Sequence, residues 1–182
     1  MAKSLQNPDV LEATLYMPNK DVSIFAYPPT SEDFRYMDMA LGEAQIALDE
    51  GNVAIGAVIV ATVGSRTHVF KGHSTEITDD DLDAHAETNA YKQAQPVLGR
   101  DLSSAAAYIT SEPCDGCVNR FAQGQLSKLV YASDYNDAPG FFRERSLSLD
   151  TKLRDKGRTI VVVRGLRKIQ ALKLMVPANK VH

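Results

Sequence analysis

Between Ser31 and Gly51 the apolar residues Phe34, Met37, Leu41, Ala44 and Leu48 recur at steps of three, four, three and four. That spacing lines one face of an α-helix, with Ser31 as its N-cap and Gly51 as its stop. The pattern then changes. VAIGAVIVA (53–61) is continuously apolar and β-branched, as a buried strand is, and THVFK (67–71) is a short β-prone partner across a Gly64–Ser65 turn. Further along, the sequence predicts a helix over 84–95, a buried strand AAAYIT (105–110), a helix from Cys114 to about Gly124 and a strand KLVYA (128–132). A loop through Asp137, Pro139 and Gly140 leads to a helix near 145–156, then a strand TIVVV (159–163) and a final helix LRKIQALKLM (166–175). Residues 1–30 hold Pro8, Pro18, Pro28 and Pro29 without a sustained period and read as an extended lead-in draped over the domain. Helices alternating with strands this apolar predict an α/β fold: a three-layer α/β/α sandwich around one mixed five-stranded sheet. The domain is expected at 31–176, with a short tail at 177–182.

Composition narrows the class without naming a chemistry. A chain of 182 residues suits one domain, and 44% hydrophobic with 24% charged residues is the balance of a folded protein. No apolar run approaches the roughly 18–20 residues of a membrane span, and the first twenty residues have no apolar signal-peptide core. No membrane partner and a cytoplasmic location are therefore expected. The net charge of −3 hides an asymmetry. Residues 1–151 carry 11 Lys/Arg against 22 Asp/Glu, or −11, whereas 152–182 carry 9 against 1, or +8. A basic tail of this kind either meets phosphates or forms the solvated face of a terminal helix.

The two cysteines, Cys114 and Cys117, stand two residues apart in SEPCDGC. Two are too few for a secreted disulfide scaffold, so the pair reads as a metal clip or a redox pair. His85 and Glu87 flank Ala86 in DAHAETNA, at the start of a predicted helix. Two thiolates and one imidazole form a common zinc set, and three protein ligands leave a fourth position for water. Zinc lowers the pKa of such a water from 15.7 towards about 7. A cysteine near a helix N-terminus ionises more easily, which suits it as a ligand, and a carboxylate two residues from the histidine is placed to carry protons. A structural zinc site needs a fourth protein ligand, and His68, His73 and His182 have no ligand spacing to the cysteines.

The pattern H-x-E…P-C-x-x-C, here His85, Glu87, Pro113, Cys114 and Cys117, is the signature of zinc nucleobase deaminases. From about Ser31 to about Met175 the chain resembles the cytidine deaminase superfamily, in the branch of bacterial tRNA adenosine deaminases, guanine deaminases and yeast-type cytosine deaminases. The EAQIALDEG helix ending, the IGAVIV strand, both metal segments and KLVYAS carry the likeness. The resemblance implies Zn2+ on His85, Cys114 and Cys117, with Glu87 as the proton shuttle. It implies that the Ala86 amide holds the base edge and that main-chain oxygens around Ser111 and Glu112 receive the amino group. It also implies a last pair of parallel strands and a homodimer.

Three positions depart from the pattern and bear on the substrate. Ala54 stands where many relatives have Pro, and Ser74 in KGHSTE stands where many have a base-reading Asn. A hydroxyl replaces only part of an amide's donor–acceptor pair. Asp137 in YASDYNDAPGF falls where guanine deaminases use an Asp on the purine N–H edge, and it equally suits a turn before Pro139–Gly140. The expected substrate is a small nucleobase or nucleoside, guanine favoured. The alternatives are tRNA adenosine, suggested by the first helix, the IGAVIV strand and the basic tail, and a non-catalytic scaffold subunit.

Overall fold

A computed structural model describes residues 11–17, 20–134, 137 and 160–175. Helix α1 (Ser31–Asp49) begins one residue earlier than its periodicity suggested, because Thr30 rather than Ser31 is the N-cap. The Thr30 Oγ1 accepts from the Asp33 amide at 3.1 Å while Asp33 accepts from the Thr30 amide at 3.0 Å, a reciprocal capping box. Gly51, at φ +87°, ends the helix in a left-handed conformation that glycine adopts without a Cβ penalty.

Within the expected lead-in, residues 11–17 and 20–27 are paired into the sheet. Strands β1 (Leu11–Met17) and β2 (Lys20–Tyr27) form an antiparallel hairpin, and β1 also pairs antiparallel with β7 (Ile160–Arg164). Pro28 and Pro29 follow the end of β2, where a missing N–H costs no ladder bond. The five expected strands are completed by β3 (Gly56–Val63), β4 (Arg66–His73), β5 (Ala105–Ser111) and β6 (Lys128–Ser133). The sheet thus gains two strands beyond the expected five, and its order is β2-β1-β7-β6-β5-β3-β4. It is mixed: β5, β6 and β7 run parallel, and the other pairings are antiparallel.

Alternation along the strands feeds two cores. Ala57, Ile59 and Ala61 of β3 face α2 (Ala86–Leu98) and α3 (Asp115–Gln123), where Phe121, Leu129 and Tyr131 are also buried. Val58 and Val60 face α1 and α4 (Lys168–Met175), with Met37, Tyr108 and Val163. The result is the expected α/β/α sandwich with four helices among the described residues. Helix α2 continues through Pro96 to Leu98, past the expected end at residue 95. A proline so near a C-terminus removes one bond of the last turn, and the Gly99 amide still reaches the Gln95 carbonyl at 2.8 Å. The helix expected near 145–156 and the tail at 177–182 lie outside the described residues.

Two glycines let helices lie close on the sheet. A Cβ on Gly56 would meet the Ala40 carbonyl and the Ala44 amide of α1. One on Gly72 would meet the Ala90 amide and the Ala86 carbonyl of α2. Gly72 therefore governs how near the N-terminal turn of α2 sits to β4, and that turn carries the site.

Candidate active site

His85 and Cys114 occupy equivalent places, each the N-cap of its helix in extended backbone, with no side-chain cap bond. Their side chains are thus spared for each other across the gap between α2 and α3. Arg120 ties the helices together: its Nη1 donates to Thr88 Oγ1 at 2.8 Å, and its guanidinium lies 5.8 Å from the Tyr91 ring centre. One turn into α3, Cys117 points the same way as Cys114. The His85 Nδ1 lies 3.4 Å from Cys114 Sγ and 3.6 Å from Cys117 Sγ.

The donor set fits a tetrahedral ion. Bonds of about 2.3 Å to sulfur and 2.0–2.1 Å to nitrogen place sulfur and nitrogen about 3.6 Å apart, and all three donor atoms lie within 4.8 Å of one another. Without an ion the three groups share protons. The hydrogen bond from Cys117 draws the Cys114 thiol down to about 3, with His85 adding to the effect. The same bond, with burial, pushes Cys117 far up. The Cys114 thiolate raises His85 to about 9. One sulfur already carries the negative charge that a cation would neutralise.

Glu87, in the first turn of α2, is 4% exposed, and burial pushes its carboxyl up to about 7. A carboxyl poised near neutrality can both accept and return a proton at physiological pH. One cavity brings together His85, Ala86, Glu87, Cys114, Ser74, Ser111 and Glu112, with Ile55 and Glu76 completing its wall. Asp137 is not among its lining residues. Its Oδ2 accepts from the Asp134 amide and from Lys168 Nζ, both at 2.7 Å, so it closes a turn and tethers α4.

Glu76 has no counterpart in the sequence-based expectations, although it stands two residues after Ser74 in KGHSTE. The buried Ser74 hydroxyl donates to Glu76 Oε2 at 3.0 Å, and Glu76 Oε1 lies 3.4 Å from His85 Nε2. Asn52 and Asn89 were missed as well. The Asn52 Oδ1 accepts from the Ile77 and Thr78 amides, each at 3.0 Å, and Asn89 Nδ2 donates to the His73 carbonyl at 2.9 Å. Their partners are distant in sequence or in an irregular loop, so no local period marks them.

The sequence profile of the MafB19-like deaminase family matches residues 31–174, most of the chain and both ligand-bearing segments. The chain belongs to that family. This deaminase is 36% identical over 100 residues to a tRNA-specific adenosine deaminase of Rickettsia felis, covering 54% of this chain and 69% of that one. It is similar to a solved tRNA:A34 deaminase of A-to-I editing at 25% identity and a TM-score of 0.63, covering 77% and 98% of the two chains. It also shares the fold of a guanine deaminase from Nitrosomonas europaea, at 22% identity and a TM-score of 0.67, covering 78% and 81%. The fold is that of the cytidine deaminase superfamily, and the supported chemistry is hydrolytic deamination of nucleic acid bases or nucleosides. Among the described residues no helix is long and apolar enough to cross a membrane.

Proposed function

We propose that this deaminase holds zinc on His85 Nδ1 and the Cys114 and Cys117 thiolates, and acts on a small, unphosphorylated base or nucleoside, with guanine as the leading candidate. Zinc bound there supplies a Lewis acid that makes water a nucleophile near neutral pH. Glu87 takes one proton from the attacking water and passes it to the ring nitrogen. It then carries the second, from the newly added hydroxyl, to the amine, which leaves as ammonia as the carbonyl forms and the C–N bond breaks. The Ala86 amide, at the N-terminus of α2, donates to an acceptor on the base edge. Main-chain oxygens of Ser111 and Glu112 receive the amino group and keep it aimed at the site. General acid–base transfer of this kind is worth roughly 10²–10⁴-fold in rate.

The observation that carries the substrate reading is the charge of the cavity wall, where Glu76 and Glu112 stand beside Glu87. A phosphate entering that cavity meets like charge in a region of reduced dielectric. Carboxylates in the wall suit a base that offers ring N–H groups. Two of the basic C-terminal residues that suggested phosphate binding are engaged within the chain. Arg167 grips Asp38 through two bonds at 2.9 and 3.0 Å, and Lys168 pairs with Asp137.

The tRNA reading keeps one specific support, the likeness to tRNA-specific adenosine deaminases. Ammonia release across guanine, adenine, cytosine, their nucleosides and tRNA separates the two. Turnover of a free base or nucleoside with little dependence on salt is expected. Turnover confined to tRNA, with binding that weakens steeply as salt rises, would overturn the small-substrate reading.

A further inference from the structure

We infer that Glu76 is a positioning residue for the metal site: held by Ser74, it fixes the orientation and tautomer of His85 so that Nδ1 faces the two sulfurs. This rests on the zinc reading given above. The need for such a residue comes from the fold. His85 is an N-cap whose side chain makes no bond to its own helix, so the helix does not set the ring's rotation. The ring's two edges are occupied unequally. Nδ1 faces Cys114 and Cys117, while Nε2 faces Glu76 Oε1 at 3.4 Å. A carboxylate accepts only, so its partner nitrogen must carry the hydrogen, and the other nitrogen presents its lone pair to a cation. At 3.4 Å the contact is longer than an ideal hydrogen bond, and the carboxylate's charge contributes to the orientation along with donation from Nε2.

Glu76 is itself held in place. The Ser74 hydroxyl, fully buried, donates to its Oε2 at 3.0 Å and leaves Oε1 turned to the histidine. The backbone around it is fixed on both sides. The Ser74 amide reaches the Ile55 carbonyl at 3.0 Å, and Asn52 accepts from the Ile77 and Thr78 amides that follow. The position of the carboxylate is therefore set by contacts independent of the metal site, as an orienting group requires. This gives Ser74 a role in orienting Glu76, whichever base occupies the cavity.

Partners of a ligating histidine's second nitrogen typically contribute 10–100-fold to metal affinity. The test is zinc release from the loaded full-length protein to a chromogenic chelator, measured for the wild type, Glu76→Ala, Glu76→Gln and Ser74→Ala. Glu76→Ala is expected to lose zinc on the order of 10–100-fold faster, with far-UV circular dichroism unchanged. Glu76→Gln retains an amide oxygen for Nε2–H and is expected to recover most of that loss, and Ser74→Ala to fall between. Nitrogen-15 correlation spectra of the zinc-loaded protein should place the His85 proton on Nε2 in the wild type and show that signal broadened or exchanging in Glu76→Ala. Release rates within about twofold of wild type in Glu76→Ala, or equal losses in the Ala and Gln variants, would overturn the positioning role while leaving the zinc reading intact. A wild type that binds no zinc would overturn both.

Discussion

At the scale of single residues, the site is a set of groups whose protonation is set by their neighbours. Glu87 is the clearest case, since burial raises its carboxyl from 4.5 to about 7. Between those values the unfolded chain has released this proton and the fold still holds it. Folding stability of the metal-free protein should therefore fall as pH rises from about 4.5 to about 7, and stay lowered above that. A shift of this size corresponds to at most about 3 kcal/mol. Glu87→Gln removes the penalty, so its metal-free form should gain stability over the wild type at pH 8 and little at pH 4. Urea unfolding at the two pH values checks this, and an equal difference at both would contradict it. In the same variant turnover should drop by at least about 100-fold with zinc content unchanged. Cys114→Ala and Cys117→Ala should behave in the opposite way, losing zinc first and thermal stability with it, because metal binding and folding are coupled. Metal analysis of the purified variants tests this, and full zinc retention in both would remove them as ligands.

At the scale of elements, two helix N-termini are brought together by packing that lies outside the ligand motifs. Gly72 admits α2 against β4, and Arg120 bridges α3 to Thr88 of α2. Gly72→Ala would drive a methyl group into the α2 backbone, which must shift. Overpacking of this kind costs about 1–3 kcal/mol. Because the displaced turn carries His85 and Glu87, the loss of activity should exceed what the loss of stability explains. Melting temperature and kcat measured together test this, and wild-type kcat in a destabilised Gly72→Ala would show that the turn tolerates displacement. Arg120 is half-buried at the same junction, and its ring contact with Tyr91 adds packing to the bond.

For the whole molecule the distribution of charge decides what can approach. The cavity wall is acidic, and two of the described basic residues of the C-terminal segment, Arg167 and Lys168, are paired with Asp38, Asp134 and Asp137. Arg167→Glu should leave free-base turnover within about twofold and reduce stability by under about 1 kcal/mol, the usual range for an exposed pair. Adding Asp38→Arg should restore the stability. Were tRNA the substrate, the single reversal would instead weaken RNA binding and lower its salt slope, which is about 0.7 per phosphate contact on single strands. Filter binding across a salt series distinguishes these outcomes.

That His85, Cys114 and Cys117 form a group able to hold an ion, with Glu87 beside them, was legible in the sequence because the segments that carry them are local. A His-x-Glu and a Cys-x-x-Cys each sit within one helical turn, and each spacing alone restricts what the side chains can do. The strands β3, β5, β6 and β7 were legible for a similar reason, since short continuous apolar runs mark strands buried on both faces. The hairpin of β1 and β2 was not, although Val22, Ile24 and Ala26 alternate in sequence. Prolines around it in sequence hid it, and the second partner of β1, β7, lies more than 140 residues away. Ser74 and Asp137 could be read from sequence only as candidate base contacts. Tertiary structure turned one toward Glu76 and the other toward Lys168. The second depends on a group distant in sequence and the first on how the loop after Ser74 turns back, and no spacing along the chain encodes either. The same holds for Glu76, whose relation to His85 exists only once Asn52 and Asn89 have folded the intervening loop onto the sheet.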